Sequence, residues 1–119
     1  MKNKNQCLGE LGEKFAVKFL KKQGYKILET NHRTVYGEID IIAKHKQTFV
    51  FVEVKTRSSD FILGSEAVNK KKQSNIIASA ENFLDRKKFF DVDYRFDIIE
   101  VLGTHEKDFK ISHIIDAFA

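Results

Sequence analysis

No proline occurs anywhere in the chain, and neither an internal repeat nor a glycine- and serine-rich linker interrupts it. Nothing in the composition therefore marks a boundary between domains. A length of 119 residues is typical of one domain and too short for two independent cores. We expect residues 1–119 to fold as a single domain.

Cysteine and long apolar runs are also scarce. The single cysteine, Cys7, excludes an internal disulfide, and the N-terminal segment is polar where a signal peptide would need an apolar run. No apolar stretch approaches the roughly 18 residues of a membrane span. These absences predict a cytoplasmic protein without a membrane partner.

Metal and nucleotide motifs of the commonest kinds are missing too. The four histidines show no spacing typical of a zinc site, and no glycine-rich phosphate loop is present. What the chain does have is basic charge, a net +4 with a pI near 9.1. This balance favours a polyanionic partner, although lysine-rich composition also serves solubility.

Hydrophobic periodicity predicts an alternation of helices and strands. The predicted helices span 8–23 and 69–86, and the predicted strands span 25–30, 38–44, 48–56, 95–102 and 110–115. The order α-β-β-β-α-β-β indicates an α/β fold in which a mixed sheet carries helices on its faces.

The strands 38–44 and 48–56 read as a hairpin with chemically unusual faces. Alternation groups Glu38, Asp40 and Ile42 on one face, with Ile39, Ile41 and Ala43 opposite. On the next strand Glu53, Lys55 and Arg57 share a face with the two phenylalanines, and the valines fill the other. An even-numbered loop centred between Lys46 and Gln47 would place Asp40 opposite Glu53, and Glu38 opposite Lys55.

Two opposed carboxylates destabilise a strand pair. At an effective dielectric near 20, charges about 5 Å apart repel by roughly 3 kcal/mol, so a compensating cation is expected. Mg²⁺ commonly binds one or two carboxylates, with water and phosphate oxygens completing its coordination. Asp40 and Glu53 would supply the carboxylates. Lys55 would lie beside the metal and act on a water or a phosphate. The alternative is an ion-pair ladder on a solvated face, which contributes little stability.

Several short motifs occur in a fixed order along the chain. They are Gly12-Glu13, Asn31 with Arg33, Gly37-Glu38 with Asp40, Glu53-Val54-Lys55 with Arg57, and the later positions Lys72, Ala80, Phe96-Asp97, His113 and Ala117-Phe118. With them the chain resembles the YraN family of small bacterial proteins over nearly its whole length. That family is itself similar to Holliday-junction resolvases of the PD-(D/E)xK nuclease superfamily. One departure is Lys70, where other members often have proline, and it concerns a helix start.

The resemblance implies a restriction-endonuclease-like fold and a site that uses Mg²⁺ or Mn²⁺. Asp40 and Glu53 would bind the metal, with the Val54 carbonyl as a further oxygen, and Lys55 would be the catalytic cation. A helical glutamate that reaches the metal would be Glu13. Its helical position at the edge of the apolar stripe permits this, although a first-turn acid would also stabilise the helix dipole.

The remaining charged positions are assigned supporting roles. Glu38 either holds Lys55 in place or contacts the metal directly. Arg33, Arg57 and Lys72 are expected to contact phosphates, while Lys70 and Lys71 read as a solvated face.

The leading hypothesis is a divalent-metal-dependent endonuclease acting on nucleic acid, DNA in preference to RNA. The alternatives are a non-catalytic nucleic-acid-binding module on the same scaffold and an interaction protein that binds no nucleic acid. A junction resolvase would need two active sites and hence a symmetric homodimer.

Overall fold

A computed structural model describes residues 4–58 and 69–119, with side chains from Cys7 onward. The helices and strands, in chain order, are α1 (Lys4–Lys22), β1 (Lys26–Thr34), β2 (Gly37–His45), β3 (Thr48–Arg57), α2 (Lys70–Arg86), β4 (Asp93–Leu102) and β5 (Lys110–Phe118), with a short 3₁₀ helix (Glu106–Asp108) before β5. The predicted order α-β-β-β-α-β-β is confirmed. The α/β architecture is consistent with a nuclease-like fold.

The five strands form one mixed sheet in the order β1-β2-β3-β4-β5. Strands β1, β2 and β3 make an antiparallel meander, β3 and β4 are parallel, and β5 returns antiparallel to β4. Parallel neighbours need a long crossover, and helix α2 lies within the connection from β3 to β4. The most buried strands are the three central ones, and β1 and β5 are the edges.

Each helix covers one face of the sheet. The α1-side core contains Ala16 and Leu20 of the helix against residues of β2, β3 and β4, among them Ile41, Val50, Val52, Ile99 and Val101. The α2-side core contains Ile76, Ala80 and Phe83 against Ile42, Phe51 and Phe96. The valine face and the phenylalanine face predicted for β3 therefore pack under different helices.

Helix α1 packs against the sheet along one line of small and apolar residues. Gly12, Ala16 and Leu20 on this line are buried, whereas Leu11, beside Gly12 in the chain, is 37% exposed. The reason is close packing, because a Cβ added at Gly12 would lie 2.8 Å from Thr56 Cγ2 in β3. Only glycine permits this approach, and it draws the neighbouring Glu13 toward the sheet.

The hairpin between β2 and β3 has the predicted register. His45 pairs with Thr48 across the two-residue turn, in which Lys46 has φ 58°, and the ladder continues to Ile41 opposite Val52. Beyond that point the regular alternation fails: Ile39, predicted to face away from Ile42, packs with it in the α2-side core. The break coincides with the place where Asp40 leaves the ladder.

A buried polar cluster joins β4 to β5. The Asp97 carboxylate accepts hydrogen bonds from His113 Nε2 at 2.8 Å, Arg95 Nε at 3.0 Å and the Asp116 N–H at 2.9 Å. Arg95 also donates to the Tyr25 hydroxyl at 2.7 Å. The motif positions Asp97 and His113 therefore tie an edge strand to the sheet.

Candidate metal and nucleic-acid site

The candidate site begins where β2 and β3 separate. Instead of a backbone bond between the strands, the Asp40 side chain accepts a hydrogen bond from the Val54 N–H, with 2.8 Å between Oδ2 and N. Asp40 is 9% exposed and Glu53 is 4% exposed. The two buried carboxylates thus lie where the backbone hydrogen bonds between β2 and β3 end.

The pKa of Asp40 is changed by its burial beside Glu53. Burial, and then the charge of Glu53, raise the pKa of Asp40 to about 8. The hydrogen bond from Val54 and the charge of Lys72 act in the opposite direction but are weaker. Ionising both acids together is therefore unfavourable unless a cation is close.

Helix α2 supplies one such cation. Its N-cap Asn69 accepts a hydrogen bond from the Lys72 N–H at 2.8 Å, which fixes the first turn. The Lys72 ammonium lies 2.5 Å from Glu53 Oε1. Burial disfavours its charge, but the hydrogen bond and charge of Glu53 outweigh that effect and raise the pKa of Lys72.

Lys55 lies on the same side as this pair and is half-buried. Its pKa is lowered by burial first, then by the positive charge of Lys72, with which it also shares a side-chain hydrogen bond. The two lysines therefore differ in character, since Lys72 is held as a cation and Lys55 is shifted toward the neutral amine. Neutral amines accept protons, which is the requirement for a general base.

Helix α1 brings a third carboxylate to the edge of the site. Burial, followed by the charge of Glu38, raises the pKa of Glu13, and Glu53 acts in the same direction. A hydrogen bond from the Asn31 side chain opposes the rise. Asn31 has φ 52° and lies across from Asp40, between residues of β1 that pair with Ile39 and Ile41.

Asn31 is a residue that spacing alone did not single out as functional. Asparagine tolerates the left-handed backbone better than most residues do, and here that backbone turns its amide toward Glu13. The signal in the sequence was its place in the Asn31 and Arg33 motif. Nothing in the strand periodicity indicated a backbone irregularity at that position.

Glu38, which was expected either to hold Lys55 or to contact the metal, has another partner. Glu38 does not pair with Lys55 in the described structure; its Oε1 accepts a hydrogen bond from Arg33 Nε at 3.1 Å. The reason is that β2 pairs with β1 at this level, Glu38 lying opposite Arg33, after the ladder to β3 has ended. The Arg33 side chain is 84% exposed and so remains accessible to a ligand. Arg57 lies at the end of β3, where its charge contributes to lowering the pKa of Lys55.

The donor set suits an open metal site better than a closed one. Within residues 4–58 and 69–119, no three carboxylate, histidine or cysteine side chains form a group that encloses a metal ion. Asp40 and Glu53 are nevertheless buried together, and their oxygens are the ligands that Mg²⁺ takes in ones and twos with waters and phosphate. The residues therefore fit a hard divalent cation that completes its shell from solvent and substrate.

Neither of the two α-helices in the described ranges has the length and hydrophobicity required to cross a membrane.

Comparison with known proteins identifies the family. Residues 12–101 match the model described as uncharacterised protein family UPF0102. A UPF0102 protein of Alkaliphilus oremlandii is 50% identical over 96% of this chain and 99% of its own. A second, from Caldanaerobacter subterraneus, is 48% identical over 99% of this chain and its full length, and one from Caldicellulosiruptor saccharolyticus is 52% identical over 93% and 96%. The chain belongs to the UPF0102 family, the YraN family that its motifs predicted.

Proposed function

We propose that this protein is a divalent-metal-dependent nuclease that hydrolyses phosphodiester bonds in nucleic acid, DNA in preference to RNA. The observation that carries the proposal is the burial of Asp40 beside Glu53, with Lys72 paired to Glu53 and Lys55 hydrogen-bonded to Lys72. Two adjacent buried carboxylates repel each other when both are ionised, and a bound divalent cation would offset that repulsion. The presence of both acids is therefore consistent with metal binding.

The metal would be Mg²⁺ or Mn²⁺, held by Asp40 and Glu53 with the Val54 carbonyl as a further oxygen donor. Glu13, at the edge of the site, would reach the ion through one of its coordinated waters. When bound, such an ion lowers the pKa of a coordinated water and neutralises charge on a phosphate. The hydrogen bond from the Val54 N–H fixes the orientation of the Asp40 carboxylate. Orienting contacts of this kind commonly change metal affinity about 10- to 100-fold when they are lost.

The two lysines have different roles in the proposed reaction. Lys55, with its lowered pKa, accepts a proton from the attacking water at Nζ. Lys72, held as a cation, pairs with Glu53 in the metal-free protein and would contact a phosphate oxygen of a bound substrate. Arg33 and Arg57 bind phosphates on either side, and Glu38 limits the motion of Arg33 through their ion pair.

The test is cleavage of a panel of branched, duplex and single-stranded DNA and RNA in Mn²⁺ or Mg²⁺. Wild type is compared with Asp40→Asn and Lys55→Ala, and with Asp93→Asn and Lys110→Ala as charge-matched controls on exposed positions. We expect each site variant to lose at least about 100-fold in rate while the controls retain activity. Thermal unfolding of each variant verifies that it folds.

Other outcomes select the alternatives. Salt-dependent binding with no cleavage would favour the non-catalytic binding module. Neither binding nor cleavage would favour an interaction protein. Paired cuts in a four-way junction would require a symmetric homodimer, which light scattering measures directly.

A further inference from the structure

A groove of about 650 Å³ runs between α1 and β1. Of the residues that the sequence assigned to nucleic acid it contains Arg33, and the lysines of α1 that line it are additional to that set. Glu13, Glu38 and Asn31 line one part of it, and Lys14, Lys18 and Lys21 line the other. The groove therefore begins at the edge of the candidate site and leads away from it along the helix. Along α1 the lining changes from Glu10 and Glu13 to the three lysines, and Arg33 of β1 also lines the groove, paired with Glu38.

The three lysines form a regular array. They occur at i, i+4 and i+7 on α1, so they lie on one side of the helix, and all three are exposed. At about 1.5 Å per residue, the seven residues from Lys14 to Lys21 span about 10 Å. One strand of a DNA duplex places a phosphate about every 3.4 Å along the axis, so the array spans about three such intervals, a stretch of about four phosphates.

We propose that this groove binds one strand of nucleic acid, with Lys14, Lys18 and Lys21 contacting phosphates along that stretch. The inference rests on the proposed function and adds the surface that holds the substrate. The acidic part of the groove repels phosphates unless a cation is present. The strand is consequently anchored at the basic part and led toward Glu13 and the carboxylates of the sheet.

Charge complementarity favours nucleic acid over other occupants. A regular row of ammonium groups matches the repeating charge of a phosphodiester backbone. Strand β1 is an edge of the sheet, so the groove is open on that side to a chain that continues past the protein. Val17 contributes an apolar patch to the wall beside Lys14 and Lys18.

The experiment compares the double variant Lys18→Gln and Lys21→Gln with the control Lys107→Gln and Lys110→Gln, which removes the same charge from exposed positions near β5. Binding of fluorescent single-stranded and duplex oligonucleotides to the full chain is measured in EDTA over a range of salt concentrations. We expect the slope of log K against log salt to fall by about 1.5 to 2 in the groove variant and by less than about 0.5 in the control. The metal-induced rise in Tm should be the same in both.

Equal loss of slope in the two variants would overturn the proposal, because net charge alone would then explain binding. A groove variant that binds and cuts like wild type would also overturn it, while leaving the proposed nuclease function in place. If wild type binds no nucleic acid in EDTA but cuts it in Mn²⁺, the groove proposal alone is overturned, and if it neither binds nor cuts, both proposals are overturned. If the groove variant keeps metal-dependent cleavage and its salt slope is unchanged, the groove proposal is wrong but the proposed nuclease activity is not.

Discussion

The ammonium of Lys72 lies 2.5 Å from the carboxylate of Glu53, joining the first turn of α2 to the middle of β3. The lysine side chain is about half exposed, whereas that of Glu53 is only 5% exposed. A cation carried by the protein thus occupies the neighbourhood in which a divalent ion would bind. The stability of the metal-free fold and its affinity for metal are therefore linked through this one contact.

Replacing Lys72 with glutamine should separate those two quantities. Without its cation, Glu53 is left buried beside Asp40, so the Tm of the metal-free protein should fall. The rise in Tm on adding Mn²⁺ should be larger than in wild type, because no resident charge opposes the ion. Lys71→Gln, one position earlier and exposed, is the control. A Mn²⁺ effect that is smaller in Lys72→Gln than in wild type would count against a metal held by Glu53.

Asp40→Asn should change the dependence of stability on pH. In the folded protein the pKa of Asp40 is raised to about 8 from an ordinary 3.8, so between these values the fold holds a proton that the unfolded chain has released. The free energy of unfolding of wild type therefore falls as pH rises from about 4 to about 8. Asparagine keeps an oxygen for the Val54 N–H and has no proton to lose.

The variant should accordingly gain stability relative to wild type between pH 5 and pH 9, by about 1.4 kcal/mol for each unit of pKa shift that operates. Urea unfolding in EDTA at pH 5, 7 and 9 measures this, with Asp93→Asn as the exposed control. A difference between Asp40→Asn and wild type that stays constant across this range would show that Asp40 is not held protonated.

Gly12→Ala and Gly9→Ala should have opposite effects although both lie in α1. At Gly12 the new methyl would be 2.8 Å from Thr56 Cγ2 and 2.9 Å from its Cβ, whereas at Gly9 nothing lies within 4 Å. Alanine favours a helix over glycine by about 0.5–1 kcal/mol, so Gly9→Ala should stabilise the protein by that amount. Gly12→Ala should destabilise it by about 1–3 kcal/mol through overpacking.

Thermal and urea unfolding of the two variants check this pair. Combining Gly12→Ala with Thr56→Ala should restore part of the lost stability, since two of the crowding atoms are removed. If Gly12→Ala is as stable as wild type, α1 does not approach β3 as closely as the structure indicates. Glu13 would then lie farther from the carboxylates of the sheet.

Asp97→Asn should be strongly destabilising near neutral pH. Burial opposes the charge of Asp97, but hydrogen bonds from His113, Arg95 and the Asp116 N–H outweigh it and lower the pKa. Removing one partner from a buried ionic cluster commonly costs about 3–5 kcal/mol. Asp93→Asn, exposed on the same strand, should have little effect.

The sign of the acid dependence follows from the lowered pKa. The stability that ionised Asp97 contributes is complete above its unfolded pKa near 4 and is lost as pH falls through the lower folded value. The gap between wild type and Asp97→Asn should therefore be widest at pH 7 and narrow below about pH 4. Urea unfolding at pH 7, 4 and 3 measures it, and a gap that widens with acid would contradict the assignment.

Local features of the sequence predicted much of this fold. The alternation of residues along 48–56 predicted the two faces of β3, and the short turn at Lys46 and Gln47 fixed the register of the hairpin. Periodicity and loop length act between residues close in the chain, so they are readable without knowing the rest of the structure. The closeness of Asp40 to Glu53 follows from them.

Only the tertiary structure decided which distant groups meet at that point. The contact of Lys72 with Glu53 depends on how α2 crosses the sheet, and the burial of Gly12 depends on how closely α1 packs on β3. The left-handed backbone of Asn31 and the pairing of Glu38 with Arg33 arise because β2 leaves β3 and stays with β1. The contacts of α2 and of α1 with β3 join elements far apart in sequence, and their geometry is set by packing of the whole domain, for which local periodicity carries no information.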